Sequence, residues 1–140
     1  MEKIIIKGRG ISKGVAEGEA LVTKQPISFL GGIDPNTGIM VEKGHELEGQ
    51  SVAGKVLIFP GGKGSTAGSF IIYSASRRGT APVAMINLEA EPIIATGAVM
   101  SEIPLLDRLE RNPIEVIKSK DRVRVDGEKG VVEVIRVDKK

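Results

Sequence analysis

"GKVLIFPGGKGSTAGSFIIYSASRRGTAPVAMIN", residues 54–87, carries the organisation of the chain. Residues 54–60 are an apolar run bounded by Gly54 and Pro60, the pattern of a strand buried on both faces. Residues 65–79 place Phe70, Ile71, Tyr73, Ser74 and Arg77 at helical spacing. This segment opens on Ser65 and Thr66, both good N-caps, and ends on Arg77, Arg78 and Gly79. Basic residues in a last turn complement the helix dipole, and glycine supplies a left-handed C-cap. Residues 81–87, "APVAMIN", read as a second buried strand. Strand, helix and strand in this order predict a βαβ unit with parallel strands.

Working outward, residues 2–8 and 14–24 read as strands, the second through the glycine-spaced "GVAEGEALV". Between them "GRGISKG" (8–14) loosely matches a glycine phosphate loop, but it leads into another strand and is expected to be a turn. Residues 25–50 are rich in turn formers, with "GGIDPNTG" at 31–38 and a short strand expected at 39–41. "EPIIATGAVMSEIP" (91–104) predicts a short helix with Pro92 in its first turn, followed by a loop to Pro104. "RVRVDGEKGVVEVIRV" (122–137) is a hairpin signal, two alternating runs around a glycine turn. The expectation is one α/β domain over 1–140, with a central parallel βαβ unit and flanking antiparallel strands.

Composition narrows the function classes. Twenty basic and 18 acidic side chains give a net charge of +2, no electrostatic case for nucleic acid or an anionic membrane. The four aromatics, Phe29, Phe59, Phe70 and Tyr73, make no stacking platform. With no cysteine, disulfides, a thiol nucleophile and thiolate metal ligands within the chain are excluded. His45 is the only histidine, so no histidine metal cluster or well-supported Ser-His-Asp triad is expected. It lies in the polar "EKGHELEG" and is expected to be solvated. The N-terminal apolar run is too short for a signal peptide core, and no run is long enough for a membrane helix. The chain is expected in the cytoplasm.

The loop inside the βαβ unit is the candidate site. A strand's C-terminal end leading into a helix N-terminus gathers unpaired N–H groups, and the helix dipole adds positive character. Gly62 and Gly64 permit close approach of an anion, Lys63 can add charge, and Ser65 and Thr66 can cap the helix or face a ligand. A purely structural glycine turn is the alternative. It is not a P-loop, since Lys63 precedes Gly64. Arg77 and Arg78 are expected to be helix-terminal charges, and the charges near 110–111 and 118–122 solvated surface. Glu89 and Glu91 follow a buried strand without the spacing of a catalytic pair.

The loop with "AEPIIATGAVMSEIP" resembles the small subunits of the aconitase X family, from about Gly10 to Pro104, and looks close to their archaeal phosphomevalonate dehydratase branch. The resemblance implies a swivelling β/β/α domain like the mobile fourth domain of aconitase. It implies a two-subunit hydro-lyase whose large subunit holds an iron–sulfur cluster, with no cofactor in this chain. Ser65, at the family's loop position, would be the proton acceptor, with Gly62, Lys63, Gly64 and Thr66 around the substrate. The implied reaction takes water from mevalonate 5-phosphate, a small hydroxy acid phosphate, to give trans-anhydromevalonate 5-phosphate on an archaeal route to isoprenoids. The isolated chain would be inactive, and residues 61–66 would lie at an interface cleft.

The residues agree at two points. Without thiolates the chain needs a partner for any cluster. A serine base needs a stabilised alkoxide, which loop N–H groups, a helix N-terminus and Lys63 would favour. Other readings stay open at this level. Another aconitase-like dehydratase, acting on hydroxyproline or a hydroxy-dicarboxylate, fits the same residues, and so does a non-catalytic anion-binding module. The phosphohistidine domains resemble both "GVAEGEALV" and the loop, but they need a histidine where Thr66 stands. Ser69 is the other loop serine and is expected to pack or hydrogen-bond locally.

Overall fold

The computed structural model describes residues 2–136. Position 137, the end of the predicted hairpin, lies outside them. In chain order the elements are β1 (Glu2–Lys7), β2 (Arg9–Ser12), β3 (Val15–Val22), α1 (Phe29–Gly32), β4 (Val56–Ile58), α2 (Gly68–Arg78), β5 (Ala84–Ile86), α3 (Pro92–Ser101), β6 (Leu105–Asp107), α4 (Pro113–Val116), β7 (Arg122–Asp126) and β8 (Val131–Arg136). The strands form one eight-stranded sheet in the order β1-β8-β7-β3-β4-β5-β6-β2. The predicted βαβ unit is present: β4 and β5 pair in parallel, Val56 with Ala84 through Ile58 with Ile86. β3 and β6 extend this parallel core on either side. β7 and β8 form the expected antiparallel hairpin, and β1 pairs antiparallel with β8.

β3 joins the two halves of the sheet. Its residues 15–19 pair antiparallel with β7, and residues 20–22 pair in parallel with β4. At the far edge β2 pairs antiparallel with β6. The "GRGISKG" segment, expected as a turn, is therefore largely an edge strand. Its partner lies far along the chain, so no local pattern announced it. Only Gly8 separates β1 from β2, yet these strands sit at opposite ends of the strand order. The sheet is curled so that Gly8 links its two edge strands directly, and the Gly8 N–H continues the β1–β8 ladder by donating to the Gly130 carbonyl at 2.8 Å. Curling forces two backbones together: a Cβ built on Gly10 would lie 2.1 Å from the Gly127 carbonyl oxygen, and one on Gly127 2.0 Å from that of Ser12.

Alternation along the short central strands makes two cores. Val56, Ile58, Ala84, Ile86 and Leu106 pack with β7 and β8 valines inside the curl. Leu57, Met85 and Leu105, with Phe59, face α2, α3 and the 27–52 segment. A strand buried on both faces reads as an unbroken apolar run, as 56–59 does.

The helices differ in detail from expectation. α2 starts three residues after Ser65: its N-cap is Ala67, with no side-chain cap. The Gly68 and Ser69 N–H groups instead donate to the Ser65 and Thr66 carbonyls, which makes a separate turn ahead of the helix. Gly79 closes α2 with φ 77°, as expected, after Arg77 and Arg78. Phe70, Tyr73 and Arg77 are exposed, and the buried face is Gly68, Ser69, Ile72 and Ala75. That face is small because α3 packs close: a Cβ on Gly97 would meet Ile72 Cδ1 at 2.6 Å. α1 is a kinked single turn, with Leu30 and Gly31 outside helical geometry. The 39–41 segment makes only isolated bridges, Ile33 to Met40 and Ile39 to Ser51. No helix among the described residues is long and apolar enough to cross a membrane.

Candidate active-site loop

The C-terminal ends of the parallel strands bring together segments 23–28, 59–67, 87–91 and 108–112. Ligand sites of parallel sheets lie at this end. The root of the glycine loop is tied on both sides. The Leu88 and Glu89 N–H groups donate to the Pro60 carbonyl (3.1 and 3.4 Å), and Asn87 Nδ2 donates to that of Phe59 (3.2 Å). On the other side Ile27 N–H donates to Gly61, and Lys63 N–H to Ile27, both at 3.1 Å. The loop is thus a short strand-like extension along Ile27 before it turns.

Each predicted site residue has a definite place. Gly62 packs against the start of α3, where an added Cβ would sit 2.4 Å from Glu91 Oε1 and 2.6 Å from Ile94 Cγ1. Gly64 has φ 89° and lies over Ser28, so a side chain there would meet both backbone strain and a contact at 2.5 Å. Lys63 Nζ donates to Glu42 Oε2 at 3.2 Å, with both side chains partly exposed. Its charge is therefore shared with an acid that the loop's sequence does not reveal. Ser65 and Thr66 are exposed at the tip. The Ser65 Oγ accepts the Ala67 N–H at 3.1 Å, which leaves its hydroxyl proton directed elsewhere. Ser69 is different: it is buried, and its hydroxyl donates to the Ile93 carbonyl on α3 at 2.7 Å. That contact is structural but spans 24 residues rather than being local.

Three groups near this end are not those expected. His45 is buried, not solvated. Its Nδ1 accepts the Leu47 N–H, which puts the ring proton on Nε2, 3.2 Å from the Pro26 carbonyl. The histidine pins the 42–50 turns onto the 23–28 segment, with help from Glu46, which accepts from the Thr23 hydroxyl and the Lys24 N–H. Glu91 is the N-cap of α3, accepting from the Ile93 and Ile94 N–H groups at 2.9 and 2.8 Å. Glu91→Ala is expected to lower stability by about 1 kcal/mol, the usual worth of such a cap, seen as a reduced urea midpoint.

Asp107, at the end of β6, is fully buried and accepts from Arg9 Nε and Nη2 (2.9 and 2.8 Å) and from the Ala90 N–H (2.8 Å). Arg108 beside it holds Glu89 bidentately at 2.9 and 2.8 Å. Burial pushes the Asp107 carboxyl up, but the Arg9 and Ala90 hydrogen bonds and the charges of Arg9 and Arg108 outweigh it, so Asp107 titrates below its ordinary range. A depressed carboxylate adds stability that is present above its unfolded value, about 4, and is lost as pH falls through the folded one. Asp107→Asn is therefore expected to cost about 2 kcal/mol at pH 7. It should also flatten the loss of stability as pH falls below about 4, measured by urea unfolding at neutral and at acid pH.

Among the described residues no group of three His, Cys, Asp or Glu side chains is placed to hold a metal ion. Comparisons with known proteins accord with the fold. The aconitase X swivel domain model matches residues 5–134. A Methanosarcina acetivorans protein named phosphomevalonate dehydratase small subunit is 57% identical over 136 residues, covering 97% of this chain and 94% of that protein. One of the same name from Methanocella arvoryzae is 60% identical over 129 residues, covering 92% and 98%. A crystal structure of Thermococcus kodakaraensis aconitase X in its holo form superposes with a TM-score of 0.90 at 47% identity, covering 95% of this chain and 99% of that one. With its curled sheet, its parallel core and its strand–loop–helix site, the chain belongs to the aconitase X swivel-domain family, alongside small subunits of phosphomevalonate dehydratase.

Proposed function

We propose that the chain, a single swivel domain over 1–140, is the small subunit of a cytoplasmic two-subunit hydro-lyase. The enzyme converts mevalonate 5-phosphate to trans-anhydromevalonate 5-phosphate, with Ser65 as proton acceptor. The observation that carries this reading is the position of Ser65. It is an exposed hydroxyl at the tip of a tied-down loop, at the sheet end where parallel folds bind ligands, with an N–H already aimed at its oxygen. The names of the relatives support the substrate and the large-subunit partner.

The chemistry follows from the atoms. Ser65 Oγ takes the proton from the carbon next to the carboxylate, the C–O bond to the hydroxyl on the following carbon breaks, and a double bond forms between the two carbons. The Ala67 N–H stabilises the charge that serine must carry as a base. The backbone N–H groups of the loop and Lys63 serve the anionic ends of the substrate, with Glu42 holding Lys63 in place before binding. An iron–sulfur cluster in the large subunit would act as Lewis acid toward the leaving hydroxyl. The cysteine-free chain itself contributes no thiolate to it.

The test is dehydration of mevalonate 5-phosphate by the chain mixed anaerobically with its cluster-loaded large subunit. Turnover by the mixture and none by either chain alone is the expected result. No turnover with an intact cluster would sink the substrate assignment and turn the search to other hydroxy acids.

A further inference from the structure

We propose that Leu30, Phe70 and Leu88 form an apolar rim around the 61–66 loop, and that this rim seats on an apolar surface of the large subunit. The inference rests on the two-subunit reading above. Leu30, Phe70 and Leu88 are 42%, 65% and 38% exposed, large apolar side chains left in water by the isolated chain. All three belong to segments that touch the loop. Leu88 donates its N–H to Pro60 at the loop root. Phe70 lies in the first turn of α2, immediately after the loop, and its N–H donates to Ala67. Leu30 is carried by α1, whose backbone lies over Gly68 at the start of α2.

What covers them follows from the site. The Ser65 hydroxyl is exposed at the loop tip, and the described residues of this chain offer no metal-ligating cluster beside it. On the two-subunit reading, the large subunit completes the reaction by approaching this same end. Surfaces within reach of the loop are buried at that moment. Large aromatic and aliphatic side chains that lose their water on docking are the anchors of an interface, and the contacts around them keep water out. Exclusion also strengthens the interactions that stabilise a serine alkoxide. Ile5 provides the contrast: it is 58% exposed on β1, in the antiparallel half of the sheet, and touches none of these segments.

The test is affinity for the cluster-loaded large subunit, by calorimetry without substrate, for wild type and the single variants Phe70→Ser, Leu88→Ser and Ile5→Ser. All three positions are exposed, so each variant should fold, checked by its melting temperature. Phe70→Ser and Leu88→Ser are expected to bind ~10-fold to ~100-fold more weakly, and Ile5→Ser as tightly as wild type. Equal binding by all variants would overturn the rim, as would a loss confined to Ile5→Ser. Phe70-dependent self-association of the chain alone would assign the face to a second copy and overturn the proposal as well. Failure of the wild type to bind would overturn the two-subunit reading itself. Weaker binding by Phe70→Ser and Leu88→Ser in an enzyme that does not turn over mevalonate 5-phosphate would fault the substrate and still support the rim.

Discussion

Ser65→Ala, in the reconstituted two-subunit enzyme, is expected to lower kcat by about 10²- to 10⁴-fold, the usual contribution of a positioned general base. Binding of the large subunit and the melting temperature should be unchanged. The side chain is exposed, and its recorded contact is one hydrogen bond accepted from the neighbouring Ala67 N–H. Alanine suits the turn, because Gly68 and Ser69 bond to the carbonyls of residues 65 and 66 rather than to their side chains. KM should move little, since the lost interaction belongs to the proton-transfer step rather than to binding. Kinetics at saturating mevalonate 5-phosphate decide the matter. A variant as fast as wild type would leave the loop a binding element only and place the base elsewhere.

Gly127→Ala is expected to destabilise the fold by about 3 kcal/mol, at the upper end of what overpacking costs. The new methyl would have to occupy space 2.0 Å from the Ser12 carbonyl oxygen and 3.2 Å from Lys13 Cα, all of it backbone. A flexible side chain can swing aside, but here a strand would have to move. Gly10 faces the reverse side of the same crossing, with the Gly127 carbonyl 2.1 Å from its added Cβ, so Gly10→Ala should behave alike. Urea unfolding with an unchanged slope and a lower midpoint is the expected signature. A loss below about 0.5 kcal/mol, the level of an ordinary surface change, would mean the two backbones do not approach this closely.

The parts of the fold that were legible are those whose pattern is local. The 56–59 run reads as a doubly buried strand because successive residues enter two different cores. α3 and the β7–β8 hairpin carry their own punctuation, Pro92 in one case and Gly127 with Gly130 in the other. β2 and β6 were missed because each is only three or four residues long and is defined by the other across the chain. The glycine loop could be read as an anion-binding turn from its composition. The bond of Arg9 to Asp107, separated by 98 residues, could not. Nor could the Glu42 partner of Lys63, nor the burial of His45, whose polar neighbours conceal that Pro26 and Leu47 enclose it. The helix cap was misplaced because a turn intervenes, and only backbone geometry distinguishes a Ser65 that caps from one that stands a turn ahead.

The direct link through Gly8 between the two edge strands has a consequence for how the molecule is made. β1, the first strand to be synthesised, waits for β8, which it pairs from Glu2 with Arg136 to Lys7 with Val131, while β2, one residue later, waits for β6.

 With both partners encoded late in the chain, local pairing cannot guide the N-terminal segment, and the order of assembly has to run from the middle outward. The βαβ core can form as it emerges, β2 docks once β6 follows it, and β1 docks only after the last hairpin is available. Long-range pairings of this kind slow folding. Once made, they hold the two edge strands of the sheet, β1 on β8 and β2 on β6, through partners distant in the chain.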